Sequence, residues 1–269
     1  MAKIGVIHYN FPGFTFDQFL KFCKDTGYQY TELSIDDAWN EKDPGGQPEK
    51  KAEAIRKQMT AFGLKVSAVS ARNNFLVAGK DAMAAQVTRL ERVGRIAKIL
   101  GTDILRCDGG WPSEAVAESQ WVPLIVEGFK RSAEFAPKVG VRFALDNHGI
   151  VTNDGEREVA IFEAVNSDRV GANIDTMNYR WAGHDLDTIR HYYDIVAPYA
   201  LHTHMKDGTG SMQDYKGAAL GDGEIDLKHA VEVIKKAGYK GAWVAEYEGP
   251  EAEGGVGYAK CYQWLKEHV

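Results

Sequence analysis

Four side chains able to bind a cation or move a proton recur at equivalent points of the chain, each where an apolar run gives way to polar residues. They are Asp146 in Phe143-Ala-Leu-Asp-Asn-His-Gly149, Asp175 in Ala172-Asn-Ile-Asp-Thr-Met-Asn178, His204 in Leu201-His-Thr-His-Met-Lys-Asp207, and Glu246 in Val244-Ala-Glu-Tyr-Glu-Gly249. The intervals are 29 residues (146 to 175), 29 (175 to 204) and 42 (204 to 246), each long enough for a loop, a helix and a strand. Three carboxylates and one imidazole form a hard, oxygen-rich donor set that suits Mn²⁺, Mg²⁺ or Co²⁺ better than a thiolate site would. A divalent ion on a carbonyl oxygen and a neighbouring hydroxyl acidifies the C–H between them by stabilising an enediolate. Asp146 and Glu246, on well-separated strands, are the expected pair to remove that proton and return one on the opposite face.

Alternation along a strand puts every second side chain on one side. Ala144 and Asp146, Asn173 and Asp175, His202 and His204, and Val244 and Glu246 therefore share one inward-facing pattern. His202, one step deeper than His204, reads as a hydrogen-bonded interior histidine. Around the expected ligands lie candidate substrate contacts. Trp111 offers an aromatic face for a sugar, Asn178 a hydrogen-bond donor, and Lys206 and Glu248 charges at the rim. Lys206 and Asp207 are also placed to pair with each other. His148, beside Asp146, is a further candidate base. Glu32 is an unusual carboxylate inside a strand, expected to be structural.

The elements that must position these groups alternate strictly. Strands are expected at Lys3–Tyr9, Tyr30–Ile35, Leu64–Ser70, Asp103–Cys107, up to Asp146, up to Asp175, up to His204, and Ala242–Tyr247. Helices are expected at Phe16–Asp25 with Thr15 as cap, Glu49–Phe62, Asp81–Leu100, Ser119–Val139 with Pro123 tolerated in its first turns, Glu156–Val165, Asp187–Val196, Asp226–Ala237 and Gly257–Glu267. Asp36–Pro48 and Asp207–Gly223 are expected to be long loops, the second a candidate lid. Eight strands alternating with eight helices, with chemistry at strand ends and no Gly-x-Gly-x-x-Gly turn after the first strand, predict an α/β fold: one (β/α)8 TIM barrel over residues 1–269.

Composition agrees with that size of fold and narrows the function. The 269 residues are 44% hydrophobic with a formal charge of −6, and no basic run or basic helix face offers a footprint for nucleic acid. Three scattered cysteines, Cys23, Cys107 and Cys261, give no disulfide framework. The N-terminal apolar run turns polar too early for a signal peptide, and no run approaches membrane-spanning length. A cytoplasmic protein acting on a small molecule, with no membrane or nucleic-acid partner, is expected.

With these residues in view, the chain resembles the xylose isomerase-like barrel superfamily, in its sugar-phosphate isomerase/epimerase branch. The matching motifs are Ala144-Leu-Asp-Asn-His-Gly149, Asn173-Ile-Asp-Thr-Met-Asn178, His204-Met-Lys-Asp207, Leu220-Gly-Asp-Gly-Glu-Ile-Asp226 and Ala245-Glu-Tyr-Glu248. The resemblance implies a (β/α)8 fold and a divalent metal, Mn²⁺ first, with Mg²⁺, Co²⁺ or Zn²⁺ as alternatives. It implies metal ligands at Asp146, Asp175, His204 and Glu246, with acid/base roles for Asp146 and Glu246. Members often dimerise, so a homo-oligomer is among the expectations. The implied activity is isomerisation or epimerisation of a sugar, keto-sugar or inosose. The sequence departs from the family at Asp146 (usually Glu), at Asn178 (His in many epimerases), and in Gly208-Thr-Gly-Ser-Met212, where ketose 3-epimerases carry Arg. These differences make a metal-dependent lyase or dehydratase on a keto-sugar or cyclic polyol the alternative. A repair endonuclease on the same barrel would call for more strand-end histidines and a basic groove. A binding module would tolerate loss of Asp175.

Overall fold

Strands and helices alternate around a closed ring. A computed structural model describes residues 2–11 and 13–269. Eight parallel strands, β1 (Lys3–Ile7), β2 (Tyr30–Ser34), β3 (Lys65–Ser70), β4 (Ile104–Cys107), β5 (Arg142–Asp146), β6 (Val170–Asp175), β7 (Ala200–Met205) and a last one at Ala242–Ala245, close into a barrel. A two-stranded antiparallel hairpin, β8 (Asp207–Thr209) and β9 (Lys216–Ala218), follows β7, so the last barrel strand is β10. Around the ring the order is β1-β10-β7-β6-β5-β4-β3-β2. This is the expected (β/α)8 barrel.

Local chemistry sets the helix limits. Thr15 caps the helix Phe16–Thr26 through a capping box with Gln18, and Gly27 ends it at φ 107°, a left-handed conformation that glycine adopts without strain. Pro123 falls in the first turn of Trp121–Val139, where its missing N–H costs no helical bond. The helices cover the outward faces of the strands. Leu33, Leu105, Phe143, Leu145 and Ile174 from the strands pack with Phe19, Phe129, Ile161 and Leu265 from the helices, all fully buried in one core. Each such side chain contributes roughly 1.5–3 kcal/mol by leaving water. The three cysteines are unpaired and buried. Among the described residues no helix is long and apolar enough to cross a membrane.

Three connections differ from the sequence reading. Part of the expected loop 36–48 is a helical turn, Ile35–Ala38, because Ser34 and Asp37 form a capping box. A second unpredicted turn, Asn178–Trp181, starts where Asp175 accepts the amides of Met177 and Asn178. The segment 207–223 is not an irregular lid. Asp207 gathers it, Oδ1 accepting from the amides of Gly208 (2.8 Å) and Ile225 (3.3 Å) and Oδ2 from those of Gly221 (2.9 Å) and Gly223 (3.1 Å). A Cβ at Gly223 would lie 2.1 Å from Asp207 Oδ1, so this close approach requires glycine. Asp207 is thereby committed to the backbone and does not pair with Lys206.

The interior of the barrel is mixed. Its lower part holds small apolar groups, among them Ala68, Ala144 and Ala242. Its upper part holds Glu32, Arg106, Asp146, Asn173, Asp175, His202 and His204, all buried. Buried polar groups are stable only when partnered, and their partners define the site.

Candidate metal centre at the barrel mouth

Strand register brings the predicted residues together in part. Asp175 of β6 stands beside His204 of β7, and His204 beside Val244 of β10. The Glu246 amide continues the ladder by donating to the Met205 carbonyl (3.0 Å). As a result Asp175, His204 and Glu246 each offer a ligand atom within 4.8 Å of the other two. His204 Nδ1 is 2.9 Å from Glu246 Oε2 and 3.9 Å from Asp175 Oδ2.

The other atom of each group is already held. Asp175 Oδ1 accepts from the amides of Met177 (2.8 Å) and Asn178 (2.9 Å). His204 Nε2 is 2.7 Å from Glu32 Oε2, which fixes a proton on Nε2 and turns Nδ1 toward the carboxylates. Glu246 Oε1 accepts from Lys206 Nζ (3.1 Å). Asp175 Oδ2 and His204 Nδ1 are buried without a well-aligned hydrogen-bond partner. Two carboxylates and an imidazole, each anchored at one atom and open at the other toward a common point, fit a hard or borderline divalent cation with free coordination positions.

The electrostatics show what a cation would replace. Burial, reinforced by Glu246 and Asp146, pushes the Asp175 carboxyl up to about 7, although Lys206 opposes the shift. For His204, burial disfavours the charged form, but Glu32 and Glu246 outweigh it and raise the imidazole well above its usual range. Burial likewise opposes ionisation of Glu246, and Lys206 and His204 overcome it to hold this carboxyl well below its usual range. Without metal, protons on His204 and Asp175 supply positive charge or relieve negative charge. A bound cation would take over that task and displace them.

Asp146 is not in this group. In register it stands beside Asn173, not Asp175. Its Oδ1 accepts from Asn173 Nδ2, and its Oδ2 is bound by Arg106 Nη2. Burial opposes its ionisation, but Arg106 above all keeps the carboxyl below its usual value. Arg106 also approaches Asp108 (3.4 Å) and donates to Ser70 Oγ (3.2 Å). The structure therefore gathers three of the four expected ligands and gives the fourth to an arginine. The sequence reading missed Arg106. Its signal was a lone cation in a four-residue buried strand, Ile104-Leu-Arg-Cys107.

Above the ligand group a cavity of about 260 Å³ opens at the carboxyl ends of the strands, lined by Tyr9, Arg106, Trp111, His148, Glu246 and Glu248 among others. Trp111 is 52% exposed and meets His148 edge to face at 5.5 Å. His148 Nδ1 lies 3.7 Å from Asp146 Oδ2. Lys206 joins Glu246 to Glu248, 2.7 Å from the latter, and these carboxylates keep it charged despite its burial. Asn178 is buried on the turn after β6 and does not line the cavity. His202 is interior as expected, its Nδ1 2.7 Å from Asn173 Oδ1.

Glu32, expected to be structural, instead touches His204 directly, across 172 positions of sequence. Glu32, His202 and His204 also cluster closely enough to suggest a second metal group. Their facing atoms already satisfy one another, with Tyr9 Oη donating to Glu32 Oε1 (3.0 Å), so the cluster reads as support for His204. Replacing Glu32 by Gln removes the charge that orients the imidazole. The expected result is a 10–100-fold loss of divalent-metal affinity, about the usual cost of losing such a partner. Metal titration of the folded variant checks this, and an affinity within twofold of wild type would refute the role.

Comparison with known proteins tests the architecture. No curated protein matches the chain. Among solved structures, the IolI protein with a bound zinc atom superposes with a TM-score of 0.79 at 18% identity, covering 99% of this chain and 96% of that one. A xylose isomerase-like TIM barrel protein from Mycobacterium smegmatis in complex with magnesium gives 0.78 at 16% identity, over 99% and 96%. D-Psicose 3-epimerase with D-tagatose from Clostridium cellulolyticum H10 gives 0.77 at 15%, over 99% and 98%. At these identities the likeness is one of fold. The model of the xylose isomerase-like TIM barrel family matches residues 20–268, which take in every barrel strand except β1. On that match, and on the closed ring of eight strands that carries it, the chain belongs to the xylose isomerase-like TIM barrel family.

Proposed function

We propose that the protein is a divalent-metal-dependent isomerase or epimerase of a small sugar, keto-sugar or inosose, working by proton transfer next to a carbonyl. The observation that carries this reading is the shared position of Glu246. It lines the mouth cavity and also faces Asp175 and His204 with its Oε2. A divalent ion held by Asp175, His204 and Glu246, for which Mn²⁺ is our first choice, would supply fixed positive charge beside a substrate carbonyl and its neighbouring hydroxyl. Relatives in the fold are described with zinc, with magnesium, and with a ketose, which supports that substrate and cofactor class.

The chain's own groups divide the remaining work. Glu246 is the base on one wall of the cavity, held in place by Lys206. Asp146 is withdrawn by Arg106 and Asn173, so the group available across the cavity is His148. It lies on the loop after β5, three strands round the ring from β10. Trp111, after β4 and diametrically opposite β10, gives the substrate an apolar face.

Unlike groups on the two walls, a carboxylate and an imidazole, also suit a second reading. Glu246 would remove a proton while His148 protonates a departing hydroxyl, making the enzyme a carbon–oxygen lyase. Incubation of ketoses and inososes with metal-loaded protein in deuterated water separates the two. Deuterium entering the recovered sugar without loss of water supports isomerisation, and an unsaturated carbonyl product supports the lyase. Failure of every ketose, aldose and inosose to exchange or react would sink both.

A further inference from the structure

The mouth is not the barrel's only opening. At the amino-terminal ends of the strands lies a second cavity of about 470 Å³, lined by the starts of β1, β2, β3, β4, β5, β7 and β10. Ala242 and Ile104 line it, and Ala68 and Ala144 pack with Ile104 in the barrel interior. Two irregularities of the barrel also fall here. The register of β2 with β3 passes from Val66 to Ala68, skipping Ser67, and that of β6 with β7 passes from Ala200 to His202, skipping Leu201. Such bulges re-aim side chains, and both Ser67 and Leu201 line the cavity.

Two polar atoms of this lining are buried and unpartnered, Ser67 Oγ and His202 Nε2. His202 is 1% exposed. Its tautomer follows from its neighbours. Asn173 Nδ2 donates to Asp146, so Asn173 Oδ1 is the atom facing His202, and His202 Nδ1 must carry the proton it donates there (2.7 Å). Nε2 is then a bare acceptor, buried without a partner on a residue that lines the cavity. Charge in the lining is unbalanced. Lys3, Arg142 and Lys240 face a single carboxylate, Asp103, which pairs with Arg142 at 3.0 Å. Among the described residues Lys3 Nζ donates only to the Lys240 carbonyl (2.9 Å).

We propose that this lower cavity is a second ligand site, for a small oxyanion that also carries an O–H donor: a hydrogenphosphate or a hydroxycarboxylate of sugar size. The O–H meets His202 Nε2, Ser67 meets a ligand oxygen, and Lys3 and Lys240 meet the charge. A volume of about 470 Å³ is ample for such a molecule. The site is separate from the catalytic mouth and does not depend on the activity proposed for it.

The test is a titration of the magnesium-loaded protein with inorganic phosphate, D-gluconate and sulfate, read by the ¹⁵N resonance of His202 Nε2. Phosphate or gluconate should shift that resonance as the nitrogen accepts a hydrogen bond. Phosphate alone would mark a phosphate site, and gluconate alone a hydroxyacid site. Sulfate, with no O–H at neutral pH, should leave the resonance in place. The surface double variant Lys3→Ala/Lys240→Ala should fold normally and bind the responding anion at least about tenfold more weakly, as the loss of two charge-assisted contacts predicts. Ser67→Ala should weaken binding in the same direction. The proposal is overturned if neither phosphate nor gluconate moves the His202 signal, if sulfate moves it equally, or if the double variant binds like wild type.

Discussion

Asp175→Asn protein is expected to fold, to lose its divalent metal under dialysis, and to turn over roughly a thousandfold more slowly than wild type, the loss that follows from several kcal/mol of metal-borne charge stabilisation. The substitution is chosen because asparagine keeps an Oδ1 to accept the Met177 and Asn178 amides, so the local turn survives. Only Oδ2, buried and unpartnered, changes. The same variant carries an opposite effect on stability. In the chelated protein, the Asp175 carboxyl is raised to about 7, above its value in the unfolded chain, chiefly by burial. A carboxyl raised in this way supports folding while protonated, and that support is lost as the pH climbs through 7. Chelated Asp175→Asn should therefore be more stable than chelated wild type at pH 8, and the two should converge toward pH 4. Thermal denaturation with and without metal checks both signs. A variant that keeps both its metal and its turnover would remove the basis for the proposed centre.

Arg106→Met is the second large effect, and its expected result is a loss of stability of about 3–5 kcal/mol, the usual consequence of removing one partner of a buried ion pair. Arg106 serves Asp146, which is fully buried, and approaches Asp108, which is nearly so. Methionine fills the space but leaves the Asp146 and Asp108 carboxylates without their cation. The melting temperature should fall by on the order of 10 °C. In wild type, Asp146 is held below its usual range, so its contribution is present above the unfolded pKa and is lost as the pH falls through the folded one. The gap between variant and wild type should accordingly be wide near neutrality and close only below the usual carboxylate range, as the pH falls through the lowered Asp146 value. The double variant Arg106→Met/Asp146→Asn should recover much of the stability, because the stranded charge is gone while the bond to Asn173 can re-form. If the single variant melts with wild type at neutral pH, Arg106 is not what holds Asp146.

The arginine also decides what kind of catalyst the barrel can be. Asp146 was expected to face Glu246 across the substrate as a second proton carrier. With both oxygens taken by Arg106 and Asn173, and outside the cavity lining, it is poorly placed to reach a substrate proton. Proton transfer on that wall then falls to His148, whose imidazole lines the cavity. The shortening from the family's usual Glu to Asp and the presence of a cation on the neighbouring strand act together. The shorter side chain ends within reach of Arg106, while the ligand group forms on the other three strands.

Much of the architecture was legible along the chain because its causes are local. Thr15 announces a helix start, Gly27 its end, and alternation in Ala172-Asn-Ile-Asp175 an inward face. Connections whose shape depends on distant partners were not legible. The segment after β7 reads as a loose polar loop until Asp207 is seen to bind four amides up to 18 positions away.

The sequence by itself determined which side chains look inward and at which end of each strand they stand. Period-two alternation and the switch from apolar to polar residues are properties of a few consecutive positions. It thereby specified a barrel with Asp146, Asp175, His204 and Glu246 at strand ends on one rim. Only the closed structure decided who partners whom: Arg106 with Asp146 across 40 positions and Glu32 with His204 across 172, while His202 Nε2 is left without a partner. The physical reason is that strand register and barrel closure set the distance between neighbouring side chains. Charges packed this closely then choose among rivals by differences in reach and burial that no stretch of sequence contains.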